Sequence, residues 1–248
     1  PVGLENTLGF YMNYVNLGVI DMTTVYDQNG TRNQYVYSNN TAYGVTFARR
    51  LTDRVLFGVG MKYIVEQLWN ESAIGFNADF GAIYEPGFGG LRLGLALKNL
   101  GPAMRMDRGP SATFYKVMET SFPQNRELPA RLIVDKYNQP TTFAAGGSFD
   151  FIGPTSVIMA DDIHRVTMCG ELNDGFDAPI RSIIGMEYEW NNTISVRGGS
   201  RQNYDLFEWS FGGGVKVPLA NSELVFDYAY ADYGDLEGVY VTTLEIRF

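Results

Sequence analysis

The sequence has few of the residues that catalytic and metal centres depend on. Its 248 residues include one cysteine, Cys169, and one histidine, His164. A single cysteine cannot form an internal disulfide, and a lone histidine forms a catalytic triad only with a nucleophile and an orienting acid beside it. The nearest serine in sequence, Ser156, lies a predicted strand away, and the segment NDGFD (173–177) lacks the ligand spacing of a calcium loop. We therefore expect no enzyme activity, no cofactor and no metal, with His164 and Cys169 in a loop over 164–178.

The chain also lacks an excess of positive charge and a long apolar run. Lys and Arg total 19 against 28 Asp and Glu, which gives a net charge of -9 and a pI of about 4.7. Such acidity argues against nucleic acid as a partner. No run of about 18 apolar residues occurs, so a membrane-spanning helix is excluded. The strands of a membrane barrel stay compatible with the sequence, because they show only alternating hydrophobicity.

Large apolar residues alternate with small or polar residues through most of the chain. In the segment RVLFGVGMKYIVEQ, one face carries Val55, Phe57, Val59, Met61, Tyr63 and Val65, and the other carries Leu56, Gly58, Gly60, Lys62, Ile64 and Glu66. The second face of such segments is dominated by glycine and alanine, whereas the solvated face of a soluble sheet is rich in Lys, Glu, Ser and Thr. This composition predicts an all-β fold, an antiparallel transmembrane β-barrel with an apolar outside and an enclosed polar interior. A soluble sandwich or barrel is the alternative.

The pattern predicts thirteen strands within one barrel domain over 1–248. They lie near 6–15, 17–26, 41–50, 55–66, 73–84, 90–99, 142–151, 155–163, 179–190, 192–200, 206–217, 222–232 and 238–248. Short and long links alternate between them, as in bacterial barrels, where the short turns are periplasmic, so the longest link, 100–141, is predicted to be an extracellular loop. Because such barrels have an even number of strands, we expect a fourteenth strand before Pro1. The segment LPARLIV (128–134) is the alternative extra strand.

Several segments resemble the PorV/PorQ family of outer-membrane proteins. They read TAYGVTFARRLTDRVLFGVGMKYI, GFNADFGAIY, LRLGLALKNLGPAM, ELP, IIGMEYEWNNTISVRGG and FGGGVKVPLANSELVFDYAYADYGDLEGVYVTTLEIRF. The resemblance covers most of the chain from Thr41 onward and is most specific at 58–64, 79–84, 97–102 and 227–230. It implies a FadL-like barrel of about fourteen strands. The family's first strand and luminal N-terminal segment are missing from this chain, which we expect to be a processed or incomplete form.

The resemblance also implies a place and a role. It implies the bacterial outer membrane, with membrane lipids and other outer-membrane or secreted proteins, translocon or cargo, as partners. The predicted function is an adaptor or binding subunit of type IX secretion or of a surface-assembly machine. FadL relatives move hydrophobic molecules, so a transporter of hydrophobic small molecules is the first alternative, and a structural barrel in a larger surface complex is the second. Fold alone does not choose between them.

Three groups of residues are candidates for function. The long loop offers apolar side chains for a partner, or for a lid over the mouth: Phe114, Tyr115, Met118 and Phe122. The inner faces of the strands carry charges of both signs: Lys62, Asp79, Arg92, Lys98, Glu187, Arg197 and Asp227. Their mixed signs favour cross-strand ion pairs over a selectivity ring. The last strand resembles the signal that barrel-assembly machinery reads, through Tyr240, Leu244, Ile246 and Phe248.

Overall fold

The computed structural model describes residues 5–23, 28, 35–107, 112–117, 126–131, 134–176, 179–204, 209–219, 222–234 and 237–247. Its strands are β1 (Asn6–Asp21), β2 (Tyr35–Thr52), β3 (Val55–Leu68), β4 (Glu71–Tyr84), β5 (Arg92–Leu100), β6 (Ala112–Val117), β7 (Arg126–Arg131), β8 (Thr142–Ile152), β9 (His164–Asp174), β10 (Arg181–Trp190), β11 (Ile194–Gln202), β12 (Trp209–Leu219), β13 (Ser222–Asp232) and β14 (Gly238–Arg247). The all-β, antiparallel prediction is confirmed. Within these ranges, the structure contains no helix with the length and apolarity to span a membrane.

Twelve strands form one continuous antiparallel sheet. Its order is β1-β2-β3-β4-β5-β8-β9-β10-β11-β12-β13-β14, so every strand pairs with its neighbours along the chain apart from the step from β5 to β8. β1 and β14 are the two edges, and no pairing joins them in the described part of the chain. The sheet therefore holds twelve strands, and the predicted count of fourteen is not confirmed. The two intervening strands, β6 and β7, pair with each other in a separate sheet, so β7, which contains residues 128–131 of the alternative strand, does not belong to the large sheet.

The strand predicted at 6–15 and the described part of the one predicted at 17–26, as far as Asp21, form one strand, β1. β1 pairs with β2 along its whole length, with a shift of register between Asn16 and Val19. Gly18 has a φ of 82° there, and its N–H donates to Asn16 Oδ1 at 2.8 Å. This local bond satisfies a backbone group that has left the ladder. The glycine accommodates a bulge, and the chain continues in its original direction instead of reversing.

The strand predicted at 155–163 is a structured link, and the true strand, β9, follows it. In this link Ser156 Oγ donates to the Phe151 carbonyl at 2.8 Å and accepts from the Ile158 N–H at 3.1 Å, which folds the chain into a turn. β9 was predicted as a loop because charged residues, a glycine and the cysteine weaken its apolar alternation. His164 and Cys169 are therefore strand residues.

The links divide between two ends of the sheet. We call the end where β1 begins and β14 ends end A, and the opposite end B. The longest link, 101–141, lies at end B. The predicted alternation of short and long links is not regular. The end-B link 69–70 is a tight hairpin, and the end-A links 85–91 and 153–163 are longer than several links at end B.

Strand register assigns a distinct composition to each face of the sheet. On one face, the outer face, aromatic and aliphatic residues lie side by side across strands, as in the row Tyr43–Tyr63–Phe76. On the other, the inner face, small residues align, as in the row Gly58–Gly81–Ala96–Ala144. Many large outer side chains are exposed, Leu95 to 55 %, while most inner ones are buried or half-buried. This asymmetry fits a sheet that curls around its inner face.

Candidate functional site

A cavity of about 640 Å³ lies against the inner face of β3, β4, β5, β8 and β9. We call it the inner cavity. Its floor contains the row Gly58–Gly81–Ala96–Ala144 and the neighbouring pair Gly94 and Gly146. The space exists because these residues have little or no side chain: a Cβ on Gly94 would meet no atom within 4 Å. The volume is in the range that accommodates a small organic ligand.

Charged side chains lie at the edges of this floor rather than on it. Arg92 and Lys98 line the cavity from the two ends of β5, and Glu171 lines it from β9. Arg92 Nε is 3.5 Å from Glu85 Oε1 in a largely exposed pair, which contributes little stability. The cavity therefore combines a small-residue floor with a charged rim.

The two ends of the long link pack onto the inner face of β4. We call 101–107 the outgoing leg and 134–141 the return leg. Met104 in the first leg and Tyr137 in the second exchange two backbone hydrogen bonds of 2.8 and 2.9 Å. Met104 is 3 % exposed, and its Sδ lies 2.5 Å from the place a Cβ on Gly75 would take. A glycine in β4 therefore provides the room in which the legs meet the wall.

Gln139 holds the return leg in place through three hydrogen bonds. Its Nε2 donates to the Phe76 carbonyl and to the Pro102 carbonyl, both at 2.9 Å. Its Oε1 accepts from Asn77 Nδ2 at 2.6 Å. One amide thus joins β4, the outgoing leg and the return leg.

A second set of bonds fastens the end of β5 to the same wall. Lys62 Nζ is 2.9 Å from Asp79 Oδ1, and the same carboxylate oxygen accepts the Asn99 N–H at 2.8 Å. Asn99 also accepts from Lys62 at 2.5 Å and donates to the Pro140 carbonyl at 3.0 Å. Asn99 has a φ of 58° and lies in a bulge, after which Leu100 pairs with Ala78. The hydrogen bond to Asp79 satisfies the backbone N–H of Asn99 at this irregularity.

Tyr137 adds a bond from the return leg to β3. Its hydroxyl donates to Glu66 Oε2 at 2.5 Å. Burial, the hydrogen bond to Glu66 and the charge of that carboxylate together raise the pKa of Tyr137 well above its ordinary value. The phenol therefore stays protonated and keeps this bond at any physiological pH.

A further cluster on the inner face joins strands in the other half of the sheet, from β10 to β13. Arg197 on β11 bonds to Glu187 on β10 and, at 2.6 Å, to Asp227 on β13. These three residues line a second cavity of about 420 Å³, and Cys169 borders both cavities. Lys216 pairs with Glu189 at 2.5 Å nearby. The charged groups thus join strands to one another.

Asp150 is the centre of a cluster at end A. Its carboxylate accepts from Arg165 at 2.8 Å, from Thr167 at 2.8 Å and from Thr155 at 3.1 Å. The side chain is 2 % exposed, so these bonds satisfy a buried charge that would otherwise destabilise the fold. Across the described residues, no group of three or more His, Cys, Asp or Glu is placed to hold a metal ion.

The remaining predicted residues belong to the long link and to the last strand. Phe114 and Tyr115 belong to β6, where they pair with Pro129 and Leu128 of β7, and Met118 and Phe122 lie outside the described residues. Tyr240, Leu244 and Ile246 are exposed on the outer face of β14, and Phe248 lies outside the described residues. The residues that sequence reasoning missed are those of the legs, Met104, Tyr137 and Gln139, together with Asn77 and Asn99.

Comparisons with known proteins give a structural match and no sequence match. No family model matches the chain, and no curated protein is significantly similar to it. Among solved structures, it resembles the CymD monoaromatic hydrocarbon channel with a TM-score of 0.54 and 10 % sequence identity, over 98 % of this chain and 78 % of that chain. At this level of sequence identity the match shows a similarity of fold and does not show function. Membership of the PorV/PorQ family, which the sequence resemblance predicts, is not shown by these comparisons.

Proposed function

We propose that this protein is a β-barrel channel of the bacterial outer membrane that conducts hydrophobic small molecules. The inner cavity carries the proposal. Its floor of glycine and alanine offers backbone and methyl surface to an apolar solute. The charges of the ion-pair clusters neutralise one another instead of forming a ring of one sign, as ion selectivity would need.

The outer face supports the membrane location. Rows of aromatic and aliphatic side chains cover it, and Leu95, Met61 and Phe76 are more than half exposed there. An apolar patch of this extent is rare on a soluble monomer and is the usual outer surface of a membrane barrel. The structural similarity to a hydrocarbon channel points in the same direction. The channel, an alternative at the level of sequence, agrees better with this geometry than the secretion adaptor does.

Transport can be tested by filling the floor of the cavity. Gly94→Phe places a ring in open space on the inner face, while Leu95→Phe places the same ring one residue along, on the outer face. Cells or proteoliposomes with the wild-type barrel should take up toluene or palmitate faster than those without it. Gly94→Phe should abolish most of this increase in the uptake rate, and Leu95→Phe should retain it. Wild-type uptake no faster than the empty membrane for both solutes would contradict the proposal.

A further inference from the structure

The link 153–163 is firmly structured, although it lies outside the strands. Ser156 Oγ accepts from the Ile158 and Met159 N–H groups at 3.1 and 3.3 Å. The Gly153 N–H donates to the Met159 carbonyl at 3.1 Å, and Ile152 and Met159 form a parallel bridge. Asp161 Oδ1 accepts two backbone N–H groups at 2.7 Å each as the chain enters β9. The link therefore folds back beside the end of β8.

This structured link exposes apolar side chains. The exposed fractions are 57 % for Val157, 56 % for Ile158, 55 % for Met159 and 52 % for Ile163. At the tip, the N–H groups of Ile158 and Met159 and the carbonyl of Met159 all have partners within the link. Internal pairing of backbone groups is what contact with lipid requires.

The exposed tip is continuous with the apolar outer face. A Cβ on Gly89 would lie 2.6 Å from the ring of Phe149 and 3.4 Å from Val157 Cγ2, so the ring and Val157 are neighbours. Phe149 pairs with Met168 on the outer face. Phe88 in the adjoining turn is exposed as well.

Amphipathic aromatic side chains lie on the outer face at end A of the sheet. His164 Nδ1 and Tyr188 Oη are 2.7 Å apart on the outer face, and Trp190 lies opposite His164 in the register. Tyrosine and tryptophan in this position are typical of a membrane–water interface. The bridge from Met159 to Ile152 keeps the tip beside the strand ends, at the level of these rings.

We propose that the link 153–163 is a membrane-interface wedge, which inserts Val157, Ile158, Met159 and Ile163 into the boundary between headgroups and acyl chains at end A. Its partner is the lipid surface, and the inference rests on the proposed membrane location. Asp161 and Asp162 follow the tip in the sequence. Hydrogen bonds from the His164 and Ile163 N–H groups lower the pKa of Asp161, so its carboxylate stays charged. The link therefore combines exposed apolar side chains with two acidic residues.

The test uses single tryptophans and brominated lipids. Trp69, Trp190 and Trp209, the three native tryptophans, are first replaced by phenylalanine. A tryptophan is then introduced by Val157→Trp, by Leu95→Trp on the middle of the outer face, or by Asp53→Trp in a polar end-A turn. Each variant is folded into phosphatidylcholine bilayers with bromine near either the headgroup end or the middle of the acyl chain, and folding is confirmed by heat-modifiable mobility.

Each tryptophan should report its own depth. The emission of Val157→Trp should be blue-shifted and quenched mostly by bromine near the headgroups. The emission of Leu95→Trp should be quenched mostly by mid-chain bromine. The emission of Asp53→Trp should be quenched little by either lipid. Quenching of Leu95→Trp without quenching of Val157→Trp would overturn the wedge and leave the membrane barrel standing. An unquenched Leu95→Trp in folded protein would overturn both. Ile158→Trp, with the same expected result, replaces Val157→Trp if that variant does not fold.

Discussion

Asn77 on β4 donates a 2.6 Å hydrogen bond to Gln139 on the return leg, and the two side chains are only 5 % and 4 % exposed. The two residues are far apart in sequence, yet the bond between them is buried on the inner face near end B. Removing the partner of a buried amide group costs free energy. This bond therefore determines where the return leg lies relative to the wall, between the inner cavity and end B.

Replacing Gln139 by leucine should release the return leg without unfolding the sheet. The change leaves Asn77 Nδ2 and the carbonyls of Phe76 and Pro102 without their partner, at a cost of about 1–3 kcal/mol. Lys136 within the leg is exposed and provides a tryptic site. Cleavage after Lys136 should become about tenfold faster or more, and uptake of hydrophobic solute should rise.

Gln67→Leu is the matched control for the return leg. Gln67 is an exposed residue of β3, so this change should leave the cleavage rate at Lys136 unaltered. If Gln139→Leu gives the same rate as Gln67→Leu, the amide does not hold the leg.

Sequence periodicity predicts the sheet well and its inner contacts poorly. The faces of β3, β4, β5 and β10 were predicted because large apolar residues alternate there with glycine, alanine and charge. The sequence does not predict the bulge at Gly18, because a glycine two residues after an asparagine is equally typical of a turn. The legs follow no period at all, because Met104 and Gln139 are buried by a wall that is remote in sequence. The positions of the legs depend on tertiary contacts, and the absence of a side chain at Gly75 leaves the space that Met104 occupies.

Two neighbouring residues of β5 should differ in how strongly substitution by arginine destabilises the barrel. Leu95 lies on the outer face and is 55 % exposed, whereas Gly94 faces open space in the inner cavity. Leu95→Arg should destabilise the folded barrel by about 2–4 kcal/mol if the residue lies near the bilayer midplane. Gly94→Arg should fold nearly as well as wild type, because its guanidinium reaches the wet interior. Urea unfolding in bilayers measures both changes, and equal stabilities would contradict the face assignment for β5.

Arg197 should behave as a cross-strand bridge of modest strength. It joins Glu187 and Asp227, and all three side chains are between about a quarter and two fifths exposed. Solvent screening therefore limits the cost of Arg197→Met to about 1 kcal/mol or slightly more. Adding Asp227→Asn to that variant should restore part of the loss, because it removes a carboxylate that has lost its partner. A double-mutant cycle with no coupling between the two positions would show that the bridge contributes nothing to stability.

The apolar residues of the long link separate the channel from the adaptor. In an adaptor, Phe114, Tyr115, Met118 and Phe122 would anchor a partner, because a few large side chains usually carry most of the energy of an interface. Changing all four to serine would then release a stoichiometric partner. In a channel, purification from native membranes should bring down no stoichiometric partner with the wild type or with the fourfold variant.

The sheet should fold equally well in both proteins, because β6, which contains Phe114 and Tyr115, lies outside the twelve-stranded sheet. Heat-modifiable mobility checks that folding, and quantitative mass spectrometry of the two purified samples measures the partner. A partner that is recovered at one copy per wild-type barrel and lost on substitution would favour the secretion adaptor and count against the channel. Absence of a partner, together with solute uptake that depends on an unfilled position 94, is the result that the channel requires.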